Sequence, residues 1–180
     1  MRNLWLLLTA SALTAFAAGA SAVDLKGTVF EKAGDHYNLD PLLIYSVALI
    51  ESGTNDESLE NGVSPYPWTL RSDRPFYGKN RRDAERELAR LLSEKKSVDV
   101  GLMQINVRWH GHRVKNPMDL LDPLKNVMVG ASILDERIRQ YPEDAIRAVG
   151  SYHSSNKERA LWYAKHVFRV YTALEAQCRK

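Results

Sequence analysis

Two Asp-Pro pairs, Asp40-Pro41 and Asp122-Pro123, constrain this chain more than any other feature. Aspartate accepts from the free N–H groups that open a helix, and proline fits the first helical position, where its missing N–H costs nothing. Each pair therefore starts a helix. After the first comes the apolar run Leu42-Leu43-Ile44-Tyr45-Ser46-Val47-Ala48-Leu49-Ile50, then Glu51, Ser52 and the natural stop Gly53. After the second, Leu124, Val127, Met128, Ala131, Leu134 and Ile138 recur at three- and four-residue spacing, which predicts an amphipathic helix ending near Gln140. Pro142 opens a further helix through Ile146 and Val149 to about Tyr152, with Gly150 inside it allowing close packing. Asn156 caps the last helix, with Leu161, Ala164, Val167, Phe168 and Tyr171 on one side, and Leu25 to Tyr37 reads as a weaker one. The fold class expected is mainly α.

The stretch from Thr54 to Val100 breaks this pattern. It holds Pro65, Pro67 and Pro75, and Trp68-Thr69-Leu70-Arg71 with Pro75-Phe76-Tyr77 reads as a small β-hairpin around Ser72-Asp73-Arg74. Arg82 to Leu92 follows as a surface helix, with Arg81-Arg82 and Lys95-Lys96 on its solvated face. Those basic pairs do not make a nucleic-acid site.

The N-terminus carries one positive charge at Arg2, an apolar run from Leu4 to Ala18, and the small-residue ending Gly19-Ala20-Ser21-Ala22. That is the pattern of a secretory signal peptide, residues 1–22, cleaved after Ala22, and it implies a periplasmic protein with one domain over 23–180. The uncharged stretch is also long enough to be kept as an anchor. Cys178 is the only cysteine, so no internal disulfide is possible and stability must come from a hydrophobic core. The 25 Lys and Arg exceed the 22 Asp and Glu by too little to argue for nucleic acid.

The candidate chemistry-bearing residue is Glu51; the alternative is that it is a solvated helix-end residue and the Gly101 segment a core strand. A carboxylate at the buried end of an apolar helix loses solvation of its charged form, so its pKa rises. Fifty residues on, Gly101-Leu102-Met103-Gln104-Ile105-Asn106 brings two amides into an apolar stretch. A protonated carboxyl beside amide groups is equipment for breaking a glycosidic bond, which needs a proton for the leaving oxygen and a partner for the oxocarbenium-like centre. Asp99 is the candidate second carboxylate; the alternative is that it ends a surface loop. His110 and His112 alternate without an acidic or cysteine ligand at metal spacing, so no metal is expected, and no cofactor.

Glu51-Ser52, Gly101 to Asn106, Asn126 with Gly130-Ala131-Ser132-Ile133-Leu134, and Ala148-Val149-Gly150-Ser151-Tyr152-His153 resemble the motifs of soluble-lytic-transglycosylase catalytic domains, from about residue 38 to 172. The resemblance implies a lysozyme-like helical fold with the β-hairpin as an insertion, and cleavage of the MurNAc–GlcNAc β-1,4 bond of peptidoglycan with 1,6-anhydroMurNAc formation. Glu51 matches the single acid/base. Gln104 and Asn106 fall where the family lines the sugar cleft, and Met103 beside them reads more as core. Tyr152 matches the tyrosine that bonds the catalytic carboxyl, and Ser64 is aligned with a cleft serine. His153 stands where the family commonly has asparagine. The long gap between Glu51 and Gly101, with Ser64-Pro65-Tyr66-Pro67-Trp68, resembles members found with conjugation and type IV secretion or pilus systems. The partners implied are glycan strands and an envelope-spanning complex, with the protein itself a monomer. Tyr66 and Trp68 either stack on sugars or plug the added hairpin. The competing functions are a hydrolytic muramidase using Glu51 with Asp99, and a non-catalytic peptidoglycan-binding assembly subunit.

Overall fold

The structure is a computed structural model that describes residues 23–56 and 62–179. The expected signal segment, 1–22, lies outside them. Among the described residues there are seven α-helices and two small sheets, which is the expected mainly-α class.

Thr28 opens α1 (Val29–Tyr37), its hydroxyl accepting from the Glu31 N–H, and Asn38 closes it in the left-handed region at φ 54°. The helix thus begins four residues later than hydrophobicity from Leu25 implies, because the cap decides the start. Asp40 caps α2 (Pro41–Ser52) as expected, accepting from the Leu42 N–H at 2.8 Å. Its other oxygen accepts from the Tyr171 hydroxyl at 2.6 Å, which ties this end of the helix to the last one.

The α2 helix passes into a two-stranded antiparallel ribbon, β1 (Gly53–Asp56) with β2 (Gly62–Pro65). The expected hairpin follows as β3 (Thr69–Arg71) and β4 (Pro75–Tyr77). After the surface helix α3 (Arg81–Ser93) come β5 (Asp99–Val100) and β6 (Ile105–Asn106), which extend the hairpin into a sheet ordered β4-β3-β5-β6. The hairpin is therefore part of a larger sheet, because β5 offers β3 an edge that local sequence cannot show.

The one-turn α4 (Val107–His110) and two 3₁₀ segments, Gly111–Arg113 and Pro117–Leu121, lead to α5 (Pro123–Gln140). α5 has the expected limits, with Asp122 accepting from the Lys125 N–H. The next helix, α6 (Ala145–His153), starts three residues beyond Pro142 because Asp144 is its cap. Asn156 caps α7 (Lys157–Cys178), as expected. The buried stripe of α7 is Tyr163, Ala164, Val167, Val170 and Leu174, so Ala164 and Val167 fall as expected while Leu161 is exposed.

α2 is packed from several sides. α1, α7 and the β1-β2 ribbon all lie against it, and Ile44, Val47 and Ala48 are fully buried. α6 crosses α7 so closely that a Cβ at Gly150 would meet the Ala160 carbonyl oxygen at 2.4 Å. This arrangement delivers the C-terminal end of α2 into the interior, facing α6, α7 and the sheet.

Candidate active site

Glu51 sits at that end, its side chain 15 % exposed. Burial is the main cause that pushes its pKa from the ordinary 4.5 up to about 7. Hydrogen bonding from Tyr163 opposes the rise, the negative Asp99 adds to it, and the cationic Arg71 opposes it again. The carboxyl therefore holds its proton near neutral pH, the state a general acid needs.

Two aromatic residues wall the carboxyl. His153 Nδ1 is 3.9 Å from Glu51 Oε1, and the imidazole stacks on the Tyr163 ring with centroids 4.6 Å apart and planes within 5°. Burial, followed by the nearby Arg159 and Arg71 charges, lowers the histidine pKa, which favours the neutral imidazole beside the carboxyl. The Tyr163 hydroxyl is buried without a direct hydrogen bond of good geometry, yet lies close enough to Glu51 to favour the carboxylate.

The tyrosine expected to bond the carboxyl does something else. Tyr152 donates to the Met103 carbonyl at 2.8 Å, and it feels Glu51 and Asp99 only through their charge. It is one of three side chains that fix the turn at residues 101–104. Ser52, next to Glu51, donates to the Leu102 carbonyl at 2.8 Å. Asn126, fully buried on α5, accepts from the Met103 N–H and donates to the Val100 and Leu120 carbonyls, all at 2.8 Å. Gly101 turns the chain here at φ +77°, and a Cβ would lie 2.4 Å from Asn126 Nδ2, so only glycine fits.

Met103 is wholly buried against Gly130, where a Cβ would meet its Cγ at 2.6 Å; it is core and faces no cleft. Gln104 takes a positive φ of 45° and donates to the Gly101 and Thr69 carbonyls, leaving its buried Oε1 without a partner.

Asn106 is spent within the protein. Its Nδ2 donates to Asp99 Oδ1 at 2.7 Å and to the Ser97 hydroxyl at 2.9 Å, and its Oδ1 caps α4 by accepting from the Arg108 and Trp109 N–H groups. Asp99 lies in a strand, opposite Asn106 on one side and Arg71 on the other. Burial raises its pKa, against the Asn106 hydrogen bond and the Arg71 charge. It is therefore a half-buried carboxylate electrostatically coupled to Glu51, and does not end a surface loop.

Ser64 stands apart from this cluster. It pairs with Thr54 across the ribbon and lines a separate depression of about 290 Å³ with Asp56, Tyr66 and Tyr77. Trp68 packs on the core edge-on to Tyr66, whose hydroxyl donates to the Gly78 carbonyl at 2.6 Å, so the pair braces the hairpin. Tyr77 is the exposed aromatic there. Among the described residues no three His, Cys, Asp or Glu side chains gather to hold a metal ion.

The structure brings Glu51, Asp99 and Tyr152 within electrostatic reach of one another, together with Tyr163 and Arg71, which the sequence did not single out as site residues. Tyr163 carries only a core signal, since helical period marks it as buried and no more. Arg71 reaches the site through strand pairing with β5, which is not local. The cap role of Asn106 had a local signal: an asparagine immediately before a short helix.

Residues 28–168 match the family model described as the transglycosylase SLT domain. A protein of Escherichia coli O157:H7 described as a "Peptidoglycan-binding-like protein" is 30 % identical over 156 residues, covering 81 % of this chain and 77 % of that one. No solved structure matches the chain. The family model covers most of the sequence, including Glu51, the latched glycine turn and Asp99, and this chain belongs to the transglycosylase SLT domain family.

Proposed function

We propose that the protein is a peptidoglycan lytic transglycosylase in which Glu51 is the sole acid/base. The observation that carries this reading is the Glu51 carboxyl, 15 % exposed and pushed up to about 7. Protonated Glu51 gives its proton to the glycosidic oxygen between MurNAc and GlcNAc. The C1–O bond breaks, its electrons stay with the departing GlcNAc 4-oxygen, and the MurNAc acetamido carbonyl holds the electron-poor C1. The Glu51 carboxylate then takes the proton of the sugar's own 6-hydroxyl as that oxygen bonds to C1, which closes the 1,6-anhydro ring and restores the acid. A tethered hydroxyl has a high effective concentration, so neither water nor a second carboxylate is needed. Asn106 braces Asp99 and Tyr152 braces the turn. The biological reading is local opening of the wall, in the periplasm, for a conjugation or secretion apparatus.

Mass spectrometry of digested sacculi tests the chemistry. Anhydro ends are expected, lighter than reducing ends by one water. Reducing ends as the main product overturn the transglycosylase reading in favour of a muramidase, for which the coupling of Asp99 to Glu51 supplies the second carboxylate. Muropeptide release by Glu51→Gln at the unmodified rate refutes the assignment of Glu51. A folded protein that releases nothing from intact sacculi points to a binding subunit.

A further inference from the structure

His153 is the last residue of α6, where the Ser154 N–H closes the helix on the Gly150 carbonyl at 3.2 Å. One turn before it, Gly150 admits the Ala160 carbonyl oxygen, which a Cβ would meet at 2.4 Å. One turn beyond Ala160 stands Tyr163, so the contact that seats α6 on α7 also lays the imidazole on the phenol ring. The rings are parallel within 5°, and the Tyr163 residue beneath is 1 % exposed. The imidazole keeps 29 % of its side-chain surface exposed and lines an open groove of about 710 Å³, whose lining does not include Glu51. His153 thus meets open space on one side and the buried acid on another.

The 3.9 Å between His153 Nδ1 and Glu51 Oε1 is too long for a hydrogen bond. It is also too short for a water in line between them, since two successive hydrogen bonds span about 5.6 Å. The ring therefore touches the carboxyl and fills space from which water would otherwise solvate it. Around this contact, Arg159 on α7 and Arg71 on β3 oppose a positive charge on the ring, and Asp99 on β5 acts on the carboxyl that the ring faces. Glu51 carboxylate is the base of the proposed reaction, so a water could attack C1 only by reaching that carboxylate first. We propose that His153 is a positioning residue that seals Glu51 from water, so that the sugar's tethered 6-hydroxyl supplies the oxygen that bonds to C1. With the seal lost, a water gives its proton to Glu51 and its oxygen to C1, which leaves a reducing end in place of the anhydro ring. The proposal rests on the transglycosylase reading of the preceding section.

The test uses full chains carrying His153→Ala, His153→Asn or His153→Phe. Carbon-13 NMR of labelled glutamate carboxyls reads the Glu51 pKa, its signal assigned by its loss in Glu51→Gln. Mass spectrometry of digested sacculi reads the ratio of anhydro to reducing ends. Alanine is expected to lower the Glu51 pKa by about one pH unit, since burial is what raises it, and to raise the share of reducing ends severalfold. Asparagine, which has no ring to match Tyr163, falls between, and phenylalanine, which keeps one, restores both quantities. A Glu51 pKa indifferent to residue 153 overturns the proposal. So does a phenylalanine variant as defective as the alanine one, which would assign the effect to the imidazole nitrogens. The carboxyl titration needs no substrate, so the two readings separate. A pKa that falls with alanine and recovers with phenylalanine, in a chain that cleaves nothing, leaves the seal standing and sinks the catalytic reading. Anhydro ends made in the same proportion by every variant sink the seal alone.

Discussion

Replacing Glu51 by glutamine tests the energetic cost of the buried acid without any substrate. Glutamine has the shape and neutrality of protonated glutamate, so at low pH the two proteins should be equally stable. In the folded chain the carboxyl titrates at about 7, and in the unfolded chain near the ordinary 4.5. Between these values the folded form holds a proton that the unfolded form has lost, so stability falls as pH rises, and the whole loss is present above 7. At about 1.4 kcal/mol per pH unit, that interval is worth about 3 kcal/mol. Urea unfolding of both proteins from pH 4 to pH 8 reads the difference, and titrating groups common to both cancel. Glu51→Gln should match the unmodified protein at pH 4 and exceed it by about 3 kcal/mol at pH 8. A difference that stays flat across this range would show that Glu51 titrates like a surface carboxylate, and would remove the physical basis for its role as acid.

Cleavage that needs protonated Glu51 should fall with rising pH around an apparent pKa of about 7, read from initial rates on sacculi. Arg71→Met should move that limb upward and Asp99→Asn downward, following the signs of their charges on Glu51; shifts in the opposite senses would refute the electrostatic assignment. Asn126→Leu strands the Met103 N–H and two carbonyls and should cost about 3 kcal/mol in chemical unfolding. Gly101→Ala adds a left-handed penalty to a 2.4 Å overlap with the same amide. In the double variant with Asn126→Leu the two losses should therefore sum to less than their separate values, since both break one latch.

Local chemistry was readable in the sequence. Asp40, Asp122 and Asn156 announced three helices because a cap acts on residues two or three positions away. Glu51 was readable because the apolar run before it predicts where the helix end must lie. Pro142 misled because proline tolerates a helix start without requiring one, and Asp144 supplied the cap. The partners of Tyr152, Asp99 and Arg71 could not be read. One is a backbone carbonyl across the site, and the other two meet by strand register, neither of which leaves a mark in the neighbouring sequence. The motif Gly101 to Asn106 drew attention as an amide-bearing ligand surface, yet most of its polarity turns inward to hold the turn.

The latch at residues 101–104 also dictates when the protein acquires its chemistry. Its hydrogen bonds close loops of 50 residues to Ser52, 23 to Asn126 and 49 to Tyr152. Closing such loops is entropically costly and belongs to the later, non-local stage of folding. Until Met103 and its neighbours are locked, Glu51 faces water and is an ordinary ionised carboxylate at neutral pH. Acidity at Glu51 is therefore a product of completed folding, and a chain still in an extended state holds no proton there at neutral pH.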